Sequence, residues 1–202
     1  MPDVIGIILL AAGESSRMGK PKQLLNYKDT NLLGWIISVI EKSSISTDQA
    51  VVVLGAKQDK IIKEFRSLSI PIVENHTWEQ GMHTSIKVGL KYLIKHQKKI
   101  NAIIIMVGDQ PATTPEHIDK MINTYIEMRV PIVASEYNKA IGVPALFDKA
   151  IFGDLFSLKK GGGAKIIIQR NIEKAVSIHL PNGEIDIDTP DDYKKLLKSD
   201  KI

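Results

Sequence analysis

Arg17, Lys20 and Lys22 crowd into a stretch that also holds Gly13, Gly19 and Pro21, directly after the apolar run from Val4 to Leu10. A buried strand that empties into a turn rich in glycine and cations is suited to holding phosphates. Glycines at 13 and 19 admit positive φ and close backbone approach, so that successive N–H groups can face an anion. The three cations then add full positive charge. The spacing departs from the usual P-loop, because five residues instead of four separate Gly13 from Gly19, and Pro21 stands where Ser or Thr would reach magnesium. The stretch has no G-x-G-x-x-G either, so it is not a dinucleotide fingerprint.

Carboxylates recur at two later points. Gly108-Asp109-Gln110-Pro111 follows the apolar run Ala102 to Val107, which places Asp109 at the carboxyl end of a strand beside a glycine that lets a ligand approach. That is a good position for Mg²⁺, which takes one or two carboxylates together with phosphate oxygens and waters. In Glu184-Ile185-Asp186-Ile187-Asp188-Thr189-Pro190, extended backbone would turn Asp186 and Asp188 to one face, toward the same metal. A fourth stretch, Gln80-Gly81-Met82-His83-Thr84-Ser85, precedes a helical pattern carrying Ile86, Leu90 and Leu93. Small residues at a helix N-terminus leave N–H donors free for a base edge or a phosphate.

The elements that must position these residues alternate. Strand-like runs at Val4 to Leu10, Val51 to Leu54, Ile72 to Val73, Ala102 to Val107, Ile132 to Ala134 and Val143 to Phe147 are separated by stretches of helical period. Thr30, Thr114-Pro115-Glu116 and Thr189-Pro190-Asp191-Asp192 read as helix starts. Such alternation predicts a mostly parallel sheet with helices on both faces and ligands at the carboxyl ends of the strands. The stretch Leu158 to Gly163 reads as an active-site loop ahead of a short helix from Ala164 to Arg170, and the tail after Leu197 is polar.

Composition narrows the function classes. The 202 residues are 44% hydrophobic and 25% charged, which suits one soluble α/β domain with a sizeable core. The absence of cysteine excludes a disulfide framework, a thiolate metal site and a Cys nucleophile, so chemistry falls to oxygen and nitrogen groups. The net charge of +4 suits an anionic ligand. Nucleic acid fits less well, because the basic residues are dispersed and only 5% of the chain is aromatic. No basic segment precedes the first apolar run, which is too short for a signal peptide or a membrane span, so a cytoplasmic location away from membranes is expected. The histidines show no metal-ligand spacing. His96 and His117 read as surface residues, while His83 lies in the candidate loop. Trp35 reads as core, and Trp78 as core or as a wall of the ligand site.

The string L-A-A-G-x-S-x-R-M-G-x-P-K at 10–22 resembles the signature of the nucleotidyltransferases that modify the molybdenum cofactor, and looks most like their cytidylyltransferase branch. G-D-x-P at 108–111 is similar to that family's metal-binding motif, and D-I-D-T-P-x-D at 186–192 to its C-terminal signature. G-M-x-x-S at 81–85 resembles its base-facing loop, and Ala12 gives the pyrimidine form where guanylyl members show L-A-G-G. G-x-P-x-L-F at 142–147 matches its acceptor segment. Two departures stand out. Val143 replaces the His or Asn of many members, and Lys160 and Lys165 flank a run of glycines where members show Gly-Asp before G-A-R.

The resemblance implies a single Rossmann-like α/β three-layer sandwich over residues 1–202, with a mostly parallel sheet. It implies transfer of CMP from CTP to the terminal phosphate of molybdopterin, or molybdenum cofactor, with release of pyrophosphate. Arg17, Lys22 and Asp109 would be catalytic, and Asp109, Asp188 and Asp186 would bind Mg²⁺. Leu10, Ala11, Ala12, Gly13, Ser15, Arg17, Lys22, Gly81, Met82 and Ser85 would contact the nucleotide. Gly142 and Pro144 would contact the acceptor, and a molybdenum hydroxylase would receive the product; Lys160 and Lys165, which depart from the family pattern, are the chain's own candidates for gripping the acceptor phosphate. Three rivals remain open at this point. They are another small-phosphate or sugar-phosphate nucleotidyltransferase, a non-catalytic carrier of the cofactor, and a redox enzyme on a related scaffold.

Overall fold

The computed structural model describes residues 3–65 and 69–199. In chain order they form β1 (Val4–Leu10), a short hairpin of β2 (Asn26–Tyr27) and β3 (Thr30–Asn31), α1 (Leu32–Lys42), β4 (Ala50–Leu54), α2 (Gln58–Glu64) and β5 (Ile72–Glu74). Then come α3 (Met82–His96), β6 (Ile100–Val107), α4 (Pro115–Met128), β7 (Ile132–Tyr137), β8 (Ala140–Asp148), α5 (Phe152–Ser157), α6 (Ala164–Arg170), β9 (Ala175–His179) and α7 (Pro190–Ser199). One seven-stranded sheet runs in the order β5-β4-β1-β6-β8-β7-β9. It is mostly parallel, as the alternation predicts.

β1 lies in the interior of the sheet, between β4 and β6, because its side chains are apolar on both faces, and Ile7, Ile8 and Leu9 are fully buried. Ile7 and Leu9 face α1, α2 and α4 in one core, with Ile36, Ile61, Ile118 and Met121. Ile8 and Leu10 face α3, α5 and α6 in the other, with Leu90, Leu155 and Ile167. These two cores give the three layers. α3 lies close to the sheet at Gly89, where a Cβ would come within 2.5 Å of the Ile8 side chain.

The antiparallel direction of β8, wedged between β6 and β7, was not legible in the alternation. It follows from the two-residue turn Asn138-Lys139, whose φ values of 45° and 60° make the tight hairpin that matches strand twist. β9, which pairs parallel with β7, was also missed, since Ser177 and His179 leave it no continuous apolar run. The expected cap Thr30 is displaced by one residue: the Asn31 side chain accepts the Gly34 N–H at 2.9 Å. At α4 the cap is Thr114, as expected. The Leu158–Gly163 stretch lies between α5 and α6 without helix or strand. α7 carries the expected polar tail as far as Ser199, and residues 200–202 lie outside the described residues.

His117 is not at the surface. It is 6% exposed, and its Nε2 lies 2.8 Å from Ser135 Oγ. Ser135 already gives its only proton to the Pro144 carbonyl at 2.6 Å, so His117 Nε2 carries the proton and donates. Sequence pattern places His117 on a polar turn of α4, but β7 and β8 cover that turn. Burial, with the charge of Lys120 adding to it, pushes the His117 pKa down to about 4. Between pH 6.5 and about 4 the unfolded chain takes up a proton that the folded chain refuses. His117 therefore contributes stability above pH 6.5 that is lost as pH falls through its folded pKa, at most about 3 kcal/mol. Urea unfolding of His117→Gln at pH 7 and at pH 4.5 is expected to show a smaller loss on acidification than the wild type. An equal loss in the two proteins would contradict this.

Candidate functional site

The cleft opens where β1, β4 and β6 end. The chain past β1 stays pinned to both neighbours: Ala11 N–H donates to the Val53 carbonyl at 2.9 Å, and Ala56 N–H to the Ala12 carbonyl at 3.1 Å. Across β6, Gly108 N–H donates to the Leu10 carbonyl at 2.9 Å. The phosphate-type loop then turns through positive φ at Ser15 (59°) and Gly19 (70°). Gly13 does not adopt positive φ, a correction to the expectation. The left-handed turn falls on Ser15 instead, and the Ser15 hydroxyl accepts the Lys22 N–H at 3.1 Å, closing the loop across its neck.

Gln23 fixes the loop from beneath. It is 2% exposed, and its Nε2 donates to the Ala11 carbonyl at 2.8 Å and the Gly13 carbonyl at 3.3 Å. Met18 and Leu25 of the loop share a small separate core with Leu32, Ile187 and Leu196. Ile187 N–H in turn donates to the Asp109 carbonyl at 3.2 Å. Loop, strand end and C-terminal segment are thus packed into one assembly.

The carboxylates converge there. Asp109, Asp186 and Asp188 each offer an oxygen, all within 4.8 Å of one another. The 185–188 segment is irregular rather than a strand, yet Ile187 is buried while Asp186 faces outward and Asp188 is half-buried, so the alternation holds. Lys22 Nζ donates to Asp109, and to Asp188 at 3.2 Å. Arg17 Nη2 donates to the other Asp188 oxygen at 2.7 Å from a largely exposed position. Burial works against the Lys22 charge, but the charge of Asp109 and the hydrogen bonds to both acids outweigh it and hold the Lys22 pKa above the usual lysine value. Partial desolvation in the cleft, then the neighbouring charge of Asp109, push the Asp186 carboxyl up to about 7. Three hard oxygen donors crowded in this way, with a cation already drawn among them, fit a divalent ion of the Mg²⁺ or Mn²⁺ type.

The cleft has a volume of about 470 Å³. Leu10, Ala11, Ala12, Gly13, Lys22, Gly81, Met82 and Ser85 line it, as do the three acids. Ser15 and Arg17 are not among the lining residues; Ser15 braces Lys22, and Arg17 reaches Asp188 from the exposed side. Trp78 forms a wall; Gly55 leaves it room, since a Cβ there would approach Trp78 Cβ to 2.7 Å. Trp35 is half-buried, its Nε1 donating to the Pro111 carbonyl at 3.0 Å behind Asp109. α3 begins at Met82, so His83, Thr84 and Ser85 form its first turn instead of a preceding loop.

The expected acceptor residues do not line the cleft. Lys165 borders a separate depression with Lys139 and Ile168, and Lys160 another with Arg170. Pro144 accepts the Ser135 hydroxyl, and Gly142 makes room for Tyr137, whose Oη would lie 2.4 Å from a Cβ at that position. Two residues of the site gave no sequence signal: Gln23, and Asn75, which hydrogen-bonds Thr84 and Ser85. Neither belongs to a charged cluster or a periodic pattern.

Residues 7–175 match the MobA-like NTP transferase domain. The chain belongs to this nucleotidyltransferase family. It is 25% identical to the molybdenum cofactor cytidylyltransferase of Escherichia coli strain K12, over 94% of this chain and 93% of that protein. It is 29% identical to nicotine blue oxidoreductase of Paenarthrobacter nicotinovorans, over 66% of this chain but only 63% of that protein's length. Among solved structures it resembles Rv0371c of Mycobacterium tuberculosis in complex with manganese, with a TM-score of 0.75, 26% identity, and coverage of 96% of this chain and 98% of that one. Family members of this kind use a nucleoside triphosphate and a divalent metal, and the acid cluster is consistent with that.

The Lys22 ammonium occupies carboxylate oxygens that a metal at this cluster would need. Lys22→Met is therefore expected to bind Mn²⁺ about tenfold more tightly than the wild type when no nucleotide is present, read from the electron paramagnetic resonance signal of free Mn²⁺. Unchanged or weaker binding would show that the ammonium does not compete.

Proposed function

We propose that this protein, working as a single domain, transfers CMP from CTP to the terminal phosphate of molybdopterin or molybdenum cofactor and releases pyrophosphate. The observation that carries the reading is the meeting of Asp109, Asp186 and Asp188 with Lys22 at the mouth of the loop after β1, in a cleft closed on its far side by the first turn of α3. Asp109, Asp186 and Asp188 would hold Mg²⁺, which when bound supplies charge neutralisation at phosphate oxygens. The manganese complex of Rv0371c and the cytidylyltransferase relative support this reading.

An acceptor phosphate is already an anion at neutral pH, so no strong general base is needed. Its oxygen attacks the α-phosphorus, the bond to the β-phosphate oxygen breaks, and the electron pair leaves with pyrophosphate. The chain's part is to align the two phosphates and to absorb charge. Lys22 and Arg17, drawn to the acids in this structure, are the cations within reach of the departing pyrophosphate. The free N–H groups at the α3 N-terminus, with Ser85, receive the base. Ala12 favours a pyrimidine there by its resemblance to L-A-A-G members. We place the reaction in the cytoplasm, with a molybdenum hydroxylase as recipient of the product; no helix among the described residues is long and apolar enough to cross a membrane.

A second reading keeps the same chemistry with a different small phosphate as acceptor. One observation favours it: Gly142, Pro144, Lys160 and Lys165 lie outside the cleft lining. Pyrophosphate release from CTP, GTP, ATP and UTP, with and without molybdenum cofactor, separates the two. Release from CTP only in the presence of the cofactor is expected, and release stimulated by sugar phosphates instead would favour the second. Asp109→Ala is expected to lower the rate by about 10²- to 10³-fold; full magnesium-dependent turnover in that variant would remove Asp109 from the mechanism.

A further inference from the structure

Asn75 follows β5 and is 1% exposed. Its backbone N–H donates to the Leu54 carbonyl at 2.7 Å, which locks it to the end of β4. The orientation of its amide is dictated by its neighbours. The Thr77 N–H lies 3.0 Å away and can only donate, so the side-chain atom facing it is Oδ1, which also accepts the Thr77 hydroxyl at 3.0 Å. Nδ2 therefore points the other way and donates to Thr84 Oγ1 and to Ser85 Oγ, each at 2.8 Å.

The two hydroxyls then differ in what they have left. Thr84 gives its proton back to the chain, to the Gly81 carbonyl at 2.8 Å, with the Thr77 carbonyl also near at 3.1 Å. Ser85 lines the cleft, its oxygen accepts from Asn75, and among the described residues nothing accepts its proton. A hydroxyl whose oxygen is engaged by a buried N–H and whose proton is unclaimed turns that proton toward the ligand.

We infer that Asn75 is a specificity-positioning residue: it fixes the Ser85 hydroxyl as a hydrogen-bond donor into the cleft, so that the part of the nucleotide base it meets must be an acceptor, a carbonyl oxygen or an unprotonated ring nitrogen. The inference rests on the proposed nucleotide reading and deepens it. Cytosine carries both kinds of acceptor on adjacent atoms. Asn75 touches no ligand; it acts through Ser85.

Asn75→Asp tests this, because a carboxylate keeps the bond from Thr77 N–H but has no donor. It would take the Ser85 proton itself and leave a serine lone pair facing the base. CTP binding in the presence of Mg²⁺ can be followed by the fluorescence of Trp78 in the cleft wall, alongside the thermal midpoint of each variant. Asn75→Asp and Ser85→Ala are each expected to weaken CTP binding about tenfold. In the Ser85→Ala background, Asn75→Asp is expected to change it by less than about twofold, because the effect passes through the missing hydroxyl. A merely structural role would move the thermal midpoint and give additive losses. If Asn75→Asp does not fold, the same cycle run with Asn75→Ala decides. Additive losses, wild-type affinity in the Asn75 variant, or wild-type affinity in Ser85→Ala would overturn the inference while leaving nucleotide binding intact. Absence of any nucleotide binding by the wild type would overturn the reading beneath it, and the inference with it.

Discussion

Three carboxylates whose oxygens lie within 4.8 Å of one another cannot all remain charged unless a cation sits among them. That constraint organises this protein. Asp109 and Asp188 draw in Lys22, Arg17 adds a second contact to Asp188, and Asp186, with burial and Asp109 against it, is pushed toward the protonated form. The three carboxylates together offer the oxygen donors that a divalent ion would take in place of these side-chain cations. On the proposed reading, an ion held by these acids would leave Lys22 and Arg17 to pair with nearby phosphate oxygens. The same electrostatic demand thus holds the site together.

Meeting that demand requires segments distant in sequence to arrive within a few ångströms. The sheet brings β1 and β6 side by side, so the loop after one and the acid after the other share a rim. The C-terminal segment is delivered by packing, not by pairing: Ile187 enters the small core beneath the loop, and its N–H reaches the Asp109 carbonyl. α7 anchors the far end through Thr189 and Asp192, whose side chains bond reciprocally to each other's backbone N–H. Asn75 on the opposite wall and Gln23 beneath the loop do comparable work with neutral amides. Each is buried, and each sets the orientation of groups that face the cleft.

Much of this was readable because it rests on local rules. The loop after β1 showed itself by glycine and charge following an apolar run. Asp186 and Asp188 showed themselves by alternation, which survived even though the segment forms no strand, because Ile187 is still the residue that needs burial. What escaped depends on tertiary contact. His117 looked polar until β7 and β8 covered it. Gln23 and Asn75 look like any surface amide, and only the carbonyls and hydroxyls that the fold places around them give them a role. The left-handed turn fell on Ser15 and not on Gly13, because the bond from Lys22 N–H to the Ser15 hydroxyl selects that conformation. Lys160 and Lys165 stand where the chain departs from the family pattern and were read as a grip for an acceptor phosphate, and the cleft lining does not include them.

The central claim is that one cluster serves two cations in turn, lysine without nucleotide and a divalent metal with it. A crystal structure of the protein with Mn²⁺ and a CTP analogue that cannot be cleaved between its α- and β-phosphates tests it most directly. The account predicts an anomalous peak within coordination distance of Asp109, Asp186 and Asp188, with Lys22 Nζ moved from the carboxylates to phosphate oxygens. A metal bound elsewhere in the cleft, or Lys22 still paired to Asp109 and Asp188 beside a bound nucleotide, would contradict it.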